Sequence, residues 1–234
     1  MIPAFRATSL AASALLASTL SAPVLAAPDS PLGFAGAFVQ GAAAVVKSKT
    51  EIDFTGWFNV KPDDQSTVGE ISAGYGWDFN GFSVRASGFY ILGNQKAGTT
   101  TQNSPFTLKE VNDTVSMTLK NSWGLVVEPG IRLGDSAMLY GRIGYGWTSG
   151  EYVFTRPYWA DRYSASTGYS GFLWGVGGQY NFGSNFYGFA QFHQTLYGRK
   201  DVVVTVVDNG VTYRYTDRFK PESMNVTLGI GYRF

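Results

Sequence analysis

The chain has 234 residues, no cysteine, and 18 Lys and Arg against 17 Asp and Glu. Near-neutrality gives no electrostatic case for a nucleic-acid partner, and the lack of cysteine rules out a disulfide framework. Charged residues make up 15% of the sequence, where an ordinary globular protein carries about 25%, while aromatics reach 16% and glycines number 29.

Residues 1–6 carry one positive charge, Arg6, and 7–20 is a run of apolar and small residues, followed by Val24-Leu25-Ala26. That is the make-up of a secretory signal peptide, too short and alanine-rich for a spanning helix. Cleavage is predicted after Ala26, because cutting after Ala27 would put Pro28 first. The expected organisation is a signal peptide at 1–26 and one domain at 27–234. No run of about 18 apolar residues exists beyond the signal, so any membrane crossing must use strands.

From there on the apolar pattern has period two, which sends successive side chains to opposite faces of a strand. Eight segments are predicted. The first, 34–44, is too alanine-rich for its faces to be assigned. In the second, Ile71, Ala73, Tyr75, Trp77 and Phe79 share a face; in the third, Phe82, Val84, Ala86, Tyr90 and Leu92 do. The fourth, 119–133, puts Leu119, Trp123, Leu125, Val127, Pro129, Ile131 and Leu133 on one face, interrupted by Asn121. Its other face has Lys120, Ser122, Gly124, Val126, Glu128, Gly130 and Arg132. The fifth opposes Leu139, Gly141, Ile143, Tyr145 and Trp147 to Tyr140, Arg142, Gly144 and Gly146. The sixth carries Phe172, Trp174, Val176, Tyr180 and Phe182, and the seventh Phe186, Ala190, Phe192 and Leu196. The eighth, 227–234, ends on Phe234.

Asn80-Gly81, Gly134-Asp135-Ser136 and Gly183-Ser184 read as tight hairpins. Long connections around 47–67, 93–117, 149–167 and 199–221 alternate with them. The expected fold is therefore all-β: an up-and-down antiparallel barrel with short turns at one end and long loops at the other. A soluble, lipocalin-type barrel would hide its bulky set inside. Here the polar set is rich in Gly, Ser, Asn and Gln, which suits a narrow eight-stranded interior and makes a poor solvent face. The bulky set has aromatics near the strand ends, as lipid interfaces favour. The membrane-spanning form is the expectation.

At the terminus Thr227, Gly229, Tyr232 and Phe234 resemble the recognition signature of bacterial outer-membrane β-barrels, the segment read by the barrel assembly machinery. With the signal peptide, the eight alternating strands and the long outer loops, the chain resembles the small eight-stranded barrels of the OmpX, opacity-protein and OmpA-barrel types. The resemblance implies the cell outer membrane as location, short periplasmic turns and extracellular loops. It implies outer-membrane lipid and lipopolysaccharide as surroundings.

Three functions are weighed. The first is a non-enzymatic surface protein with an envelope-structural or adhesion role carried by its loops. The others are a small porin-like channel and an outer-membrane lipid A deacylase. Glu70, Arg85, Glu128, Arg132, Arg142, His193 and Arg233 fall on the inner face, as an ion-pair network filling the barrel or a charged pore lining. Asp78 shares that face and is expected to be solvated near its turn. His193, the sole histidine, faintly resembles the His-x-Ser of the deacylases, but Thr195 stands at the nucleophile's place. No metal, cofactor or nucleophile-elbow motif occurs. In the last loop, 202–207 and 211–215 flank Asp208-Asn209-Gly210, a hairpin whose Val202, Val204, Val206, Tyr213 and Tyr215 are candidates for binding a host or neighbouring-cell macromolecule. Tyr152, Phe154, Tyr158, Trp159 and Tyr163 add an aromatic loop beside it.

Overall fold

A computed structural model describes residues 33–54, 58–103, 112–156, 161–182, 185–208 and 211–234. The expected signal peptide lies outside them, as do Tyr158, Trp159 and the turn residues Gly183, Ser184, Asn209 and Gly210. Among the described residues there are eleven strands: β1 (Gly36–Phe54), β2 (Phe58–Val60), β3 (Asp63–Phe79), β4 (Phe82–Leu92), β5 (Gln95–Asn103), β6 (Asn112–Leu133), β7 (Ala137–Arg156), β8 (Asp161–Asn181), β9 (Phe186–Tyr197), β10 (Lys200–Asp208) and β11 (Val211–Arg233). Eight of them close a ring in the order β1-β3-β4-β6-β7-β8-β9-β11. The ring is sealed by antiparallel pairing of β11 with β1, from Phe38↔Arg233 to Phe54↔Asp217. Closure leaves no unpaired edge in the lipid-spanning part of the ring, the condition for a sheet to sit in hydrocarbon. The remaining strands are accessory: β2 folds back on β1, β5 runs along β6 beyond β4, and β10 runs along β11 beyond β9.

Two of the three expected tight turns are where the sequence puts them, and the third, Gly183-Ser184, lies outside the described residues. Phe79 pairs with Phe82 across Asn80-Gly81, and Leu133 with Ala137 across 134–136. Gly81 and Gly134 sit at φ 82° and 74°, conformations that cost a side chain but not glycine. At the other end the long connections are themselves largely strand. A spanning barrel strand needs about 9–11 residues, whereas β6 has 22 and β11 has 23.

The outer face is apolar along the spanning part, with Val39 and Val45 on β1, Ile71 on β3, Leu125, Val127 and Ile131 on β6, and Leu228 and Ile230 on β11. Leu228 is 70% exposed, a value that makes sense only if the medium is itself apolar. Aromatics border this band. Trp123 and Trp147 stack at 4.4 Å on the long-loop side, and Tyr232 meets both Phe186 and Phe234 edge-on at the short-turn side. The faces of β1, which the sequence leaves open, are now assigned: Phe38, Gln40, Ala44, Val46, Ser48 and Ile52 point inward.

Two sequence readings are corrected. Leu119 faces inward and is fully buried, and Lys120 faces outward to pair with Glu151. The cause is a bulge: the β6–β7 register shifts between Lys120 and Trp123, and Asn121 adopts φ 51°. One extra residue inverts the parity on either side of it. Asp78 is not free in solvent. It accepts from the Phe34 amide and from Arg132, both at 3.2 Å.

Candidate functional site

Two regions carry polar chemistry: the interior and the strand extensions beyond the lipid band. The interior is filled in layers. Nearest the short turns, Arg132 bridges Asp78 and Asp135, while Arg233 reaches the Gly33 carbonyl; both guanidiniums lie over the Phe34 ring.

Above this lies a charge belt. Arg85 pairs with Glu128 at 2.8 Å, Arg142 with Glu128 at 3.3 Å, and Arg142 with Glu70 at 3.8 Å; all four side chains are at most 3% exposed. Two cations and two anions make the belt neutral, which burial demands. Amides complete it: Arg85 donates to Gln179, Arg142 to Gln191, and Gln191 in turn to Glu70 at 2.9 Å. These links cross the lumen rather than run along one wall, since β4, β6 and β8 do not all adjoin one another, nor do β3, β7 and β9. Arg85 also lies over Tyr140 at 4.4 Å and Arg142 over Phe89 at 4.9 Å.

The next layer is apolar, with Ala44, Val46, Val68, Phe89, Ile91, Val126 and Leu173. Over it runs a hydrogen-bonded band. Thr148 meets Ser122, Ser122 accepts from Gln95, the single Ser223 hydroxyl lies within hydrogen-bond distance of the Gln95 and Asn225 side-chain oxygens, and Asn225 contacts His193. Gln95 thereby connects β6 and β11, which stand four places apart in a ring of eight, on opposite walls. A second apolar layer closes the long-loop end: Ile52, Ala97, Val115, Met117, Leu119, Tyr152, Tyr169, Tyr197 and Phe219. A cavity of about 850 Å³ is lined by Gly130, Tyr140, Gly177, Gln191 and Thr227, but the hollows over individual inner glycines are occupied. A Cβ on Gly177 would overlap the Tyr140 ring, and one on Gly231 the Tyr187 ring. The glycines are hollows into which neighbouring strands lay their rings.

All seven inner-face candidates therefore point into the lumen, and Glu70, Arg85, Glu128 and Arg142 are brought together. Arg132 and Arg233 form a separate group near the short turns. His193 sits apart, fully buried against the Phe89 ring at 5.6 Å and against Asn225. None of these contacts is a carboxylate that could orient it as a base. Sequence reasoning missed Gln95, Gln179 and Gln191, because cross-lumen partners leave no trace in the period of a single strand.

Beyond the band, β10 pairs with β11 from Lys200↔Phe219 to Asp208↔Val211, so the 202–215 hairpin is a ribbon. Val202 packs on the upper apolar layer, and Val203 is exposed. The side chains of Val204, Val206, Tyr163, Tyr213 and Tyr215 lie outside the described residues. At the ribbon's base the Asp217 carboxyl is pushed up to about 6, first by burial and then by the charge of Asp53. In the terminal strand Thr227 and Gly229 face the lumen, while Tyr232 and Phe234 face out.

A closed ring with an apolar outside, aromatic borders and a polar-centred interior defines a β-barrel of the outer-membrane class. The chain belongs to the outer membrane protein beta-barrel domain family, whose profile matches residues 12–234. No curated protein sequence matches it significantly. Its fold is similar to the outer membrane protein OprG from Pseudomonas aeruginosa, at 14% identity and TM-score 0.53, over 86% of this chain and 96% of that one. It is also similar to the outer membrane protease OmpT from Escherichia coli, at 12% identity and TM-score 0.52, over 85% and 97%. The attachment invasion locus protein Ail of Yersinia pestis aligns at 17% identity and TM-score 0.40, over 86% and 99%.

Proposed function

We propose that the mature chain, from residue 27, is a non-enzymatic and non-conducting surface barrel. Its strand extensions bind a macromolecule outside the cell, in adhesion or in envelope integrity. The observation that carries this reading is the layered lumen. A charge belt, a cross-lumen amide band and two apolar layers cross the bore, while the strands run on well past the lipid band. Chemistry that is neither in the bore nor on the generic lipid face belongs to the extensions.

The channel reading needs a continuous wet path, and the apolar layers of Leu173 and Leu119 run against one. The deacylase reading needs an oriented, lipid-accessible histidine, and buried His193 beside Asn225 is a packed core residue in character. Replacing 202–215 with an Asn-Gly turn tests the proposal. Boiled and unboiled samples should still migrate differently on gels, planar bilayers should show no stable conductance from either form, and cells should lose surface binding. Undiminished binding to host matrix or neighbouring cells by the shortened protein would refute it.

A further inference from the structure

The barrel wall begins at Gly36, which pairs with Gly76 of β3, and at Phe38, which pairs with Arg233 of β11. Residues 33–35 precede it and join no ladder, yet side chains from four strands converge on them. The Phe34 amide donates to Asp78 of β3 at 3.2 Å, and Arg233 of β11 donates to the Gly33 carbonyl. Arg132 of β6 and Arg233 lie over the Phe34 ring at 5.6 and 5.5 Å. Met138 and Tyr140 of β7 form one buried apolar cluster with it. Strand β7 stands four places from β1 in the ring of eight. Phe34 therefore reaches across the short-turn mouth to the opposite wall, where it is 1% exposed.

The backbone is shaped for this path. Gly36 sits at φ 117°, and a Cβ there would stand 3.0 Å from the Phe234 backbone oxygen. A side chain would strain the bend and crowd the end of β11. A Cβ on Gly76 would come within 2.5 Å of the Phe34 carbonyl oxygen, so β3 is hollowed where the segment crosses it. The wall itself needs none of these features, since its ladders start at Gly36.

We propose that residues 33–35 are a latch, which stoppers the short-turn mouth and locks the seam between β1 and β11. The order of events follows from the seat. Arg233 lies at the end of the last strand, so the seat is complete only once β11 has paired with β1 and closed the ring. Interactions made after closure hold the closed state without speeding its formation, so the latch acts on opening. Cation–π attraction strengthens as water is excluded, and the two guanidinium contacts are strongest with the mouth shut. The latch and the surface role are independent, since mouth and extensions lie at opposite ends of the barrel.

The test uses the full barrel in lipid nanodiscs, with heat-modifiable migration on gels confirming closure of each variant. Met138→Cys reports on the mouth. Its thiol should resist a small maleimide with Phe34 in place and react at least tenfold faster in Phe34→Ala, while Asp135→Cys on the exposed turn labels equally in both. Hydrogen exchange reports on the seam. The Phe234 amide, which donates to the Ala37 carbonyl at 2.9 Å, should exchange at least tenfold faster in Phe34→Ala, while amides of the β4–β6 ladder keep their rates. Unfolding in urea should quicken by a similar factor and refolding should not change. Phe34→Leu, which keeps the bulk but not the aromatic face, gives the same seam measurement should Phe34→Ala fail to close. Equal reactivity of Met138→Cys with and without the Phe34 ring would overturn the stopper. Faster exchange shared by the seam and the β4–β6 ladder would make Phe34 an ordinary packing residue and overturn the latch. Slower refolding with unchanged unfolding would overturn it too, because the seat would then form before closure.

Discussion

Glu128→Gln is the sharpest probe of the interior. Glu128 is the carboxylate shared by both buried guanidiniums, at 2.8 Å from Arg85 and 3.3 Å from Arg142. Glutamine keeps its volume and one acceptor but removes its charge. Arg142 retains Glu70 at 3.8 Å, while Arg85 is left with the Gln179 amide. One uncompensated cation then sits at 2% side-chain exposure. Two unit charges about 4 Å apart at an effective dielectric near 20 interact by about 4 kcal/mol, and breaking a buried pair costs about 3–5 kcal/mol. Repulsion between Glu70 and Glu128 is relieved at the same time, which favours the lower part of that range. Urea titration of the barrel in lipid vesicles, read by tryptophan fluorescence and by gel migration, measures the loss. The charge-balanced double variant Arg85→Met/Glu128→Leu should recover most of it, because an apolar replacement of a whole buried pair is near neutral. A single-variant loss below about 1 kcal/mol, as for an exposed pair, refutes the reasoning. A double variant as unstable as the sum of its singles does so too.

Three further outcomes are expected. In a cysteine scan of the barrel in vesicles, Lys120→Cys should react with a membrane-impermeant maleimide and Leu119→Cys should not; the reverse pattern would remove the bulge at Asn121. Asp217 has a carboxyl raised from 3.8 to about 6, so the folded ribbon holds its proton more tightly than the unfolded chain. Its ionised form weakens the ribbon above that value, and the penalty is relieved as pH falls from about 6 toward 3.8. Protease resistance of the extension should therefore rise between about pH 7 and pH 5, and Asp217→Asn should flatten the profile at the acid-side level. Deleting Phe234, whose ring meets Tyr232 at 5.1 Å on the outer face, should reduce assembled barrel in cells while unfolded precursor accumulates; normal assembly would mean the terminal aromatic is not read.

What the sequence discloses and what it hides follow from which medium each face meets. In the lipid band the two faces of a strand see opposite environments, so Ile71 to Phe79 or Leu139 to Trp147 can be assigned by period alone. The alternation fades where that contrast ends. From 202 to 207 valine and threonine occupy both alternate sets, so period two assigns no face, and β10 is legible only through its turn residues and β-branched run. Leu119 departs from the period for a different reason. A bulge changes the count without changing the composition, and Asn121, a residue tolerant of positive φ, was its only mark. The interior is the hardest to read. Gly177 and Tyr140 lie in different strands, as do Gly231 and Tyr187, yet each pair forms one packed unit. Seen strand by strand, the glycines suggest an empty bore; across strands they are the seats of neighbouring rings. The same logic covers Gln95, whose burial follows from the bend after Gly93, at φ 116°, and from Ser122 and Ser223 on opposite walls. An interior network specified across the ring is invisible to periodicity, and it is the feature that directs the search for function away from the bore and toward the strand extensions above it.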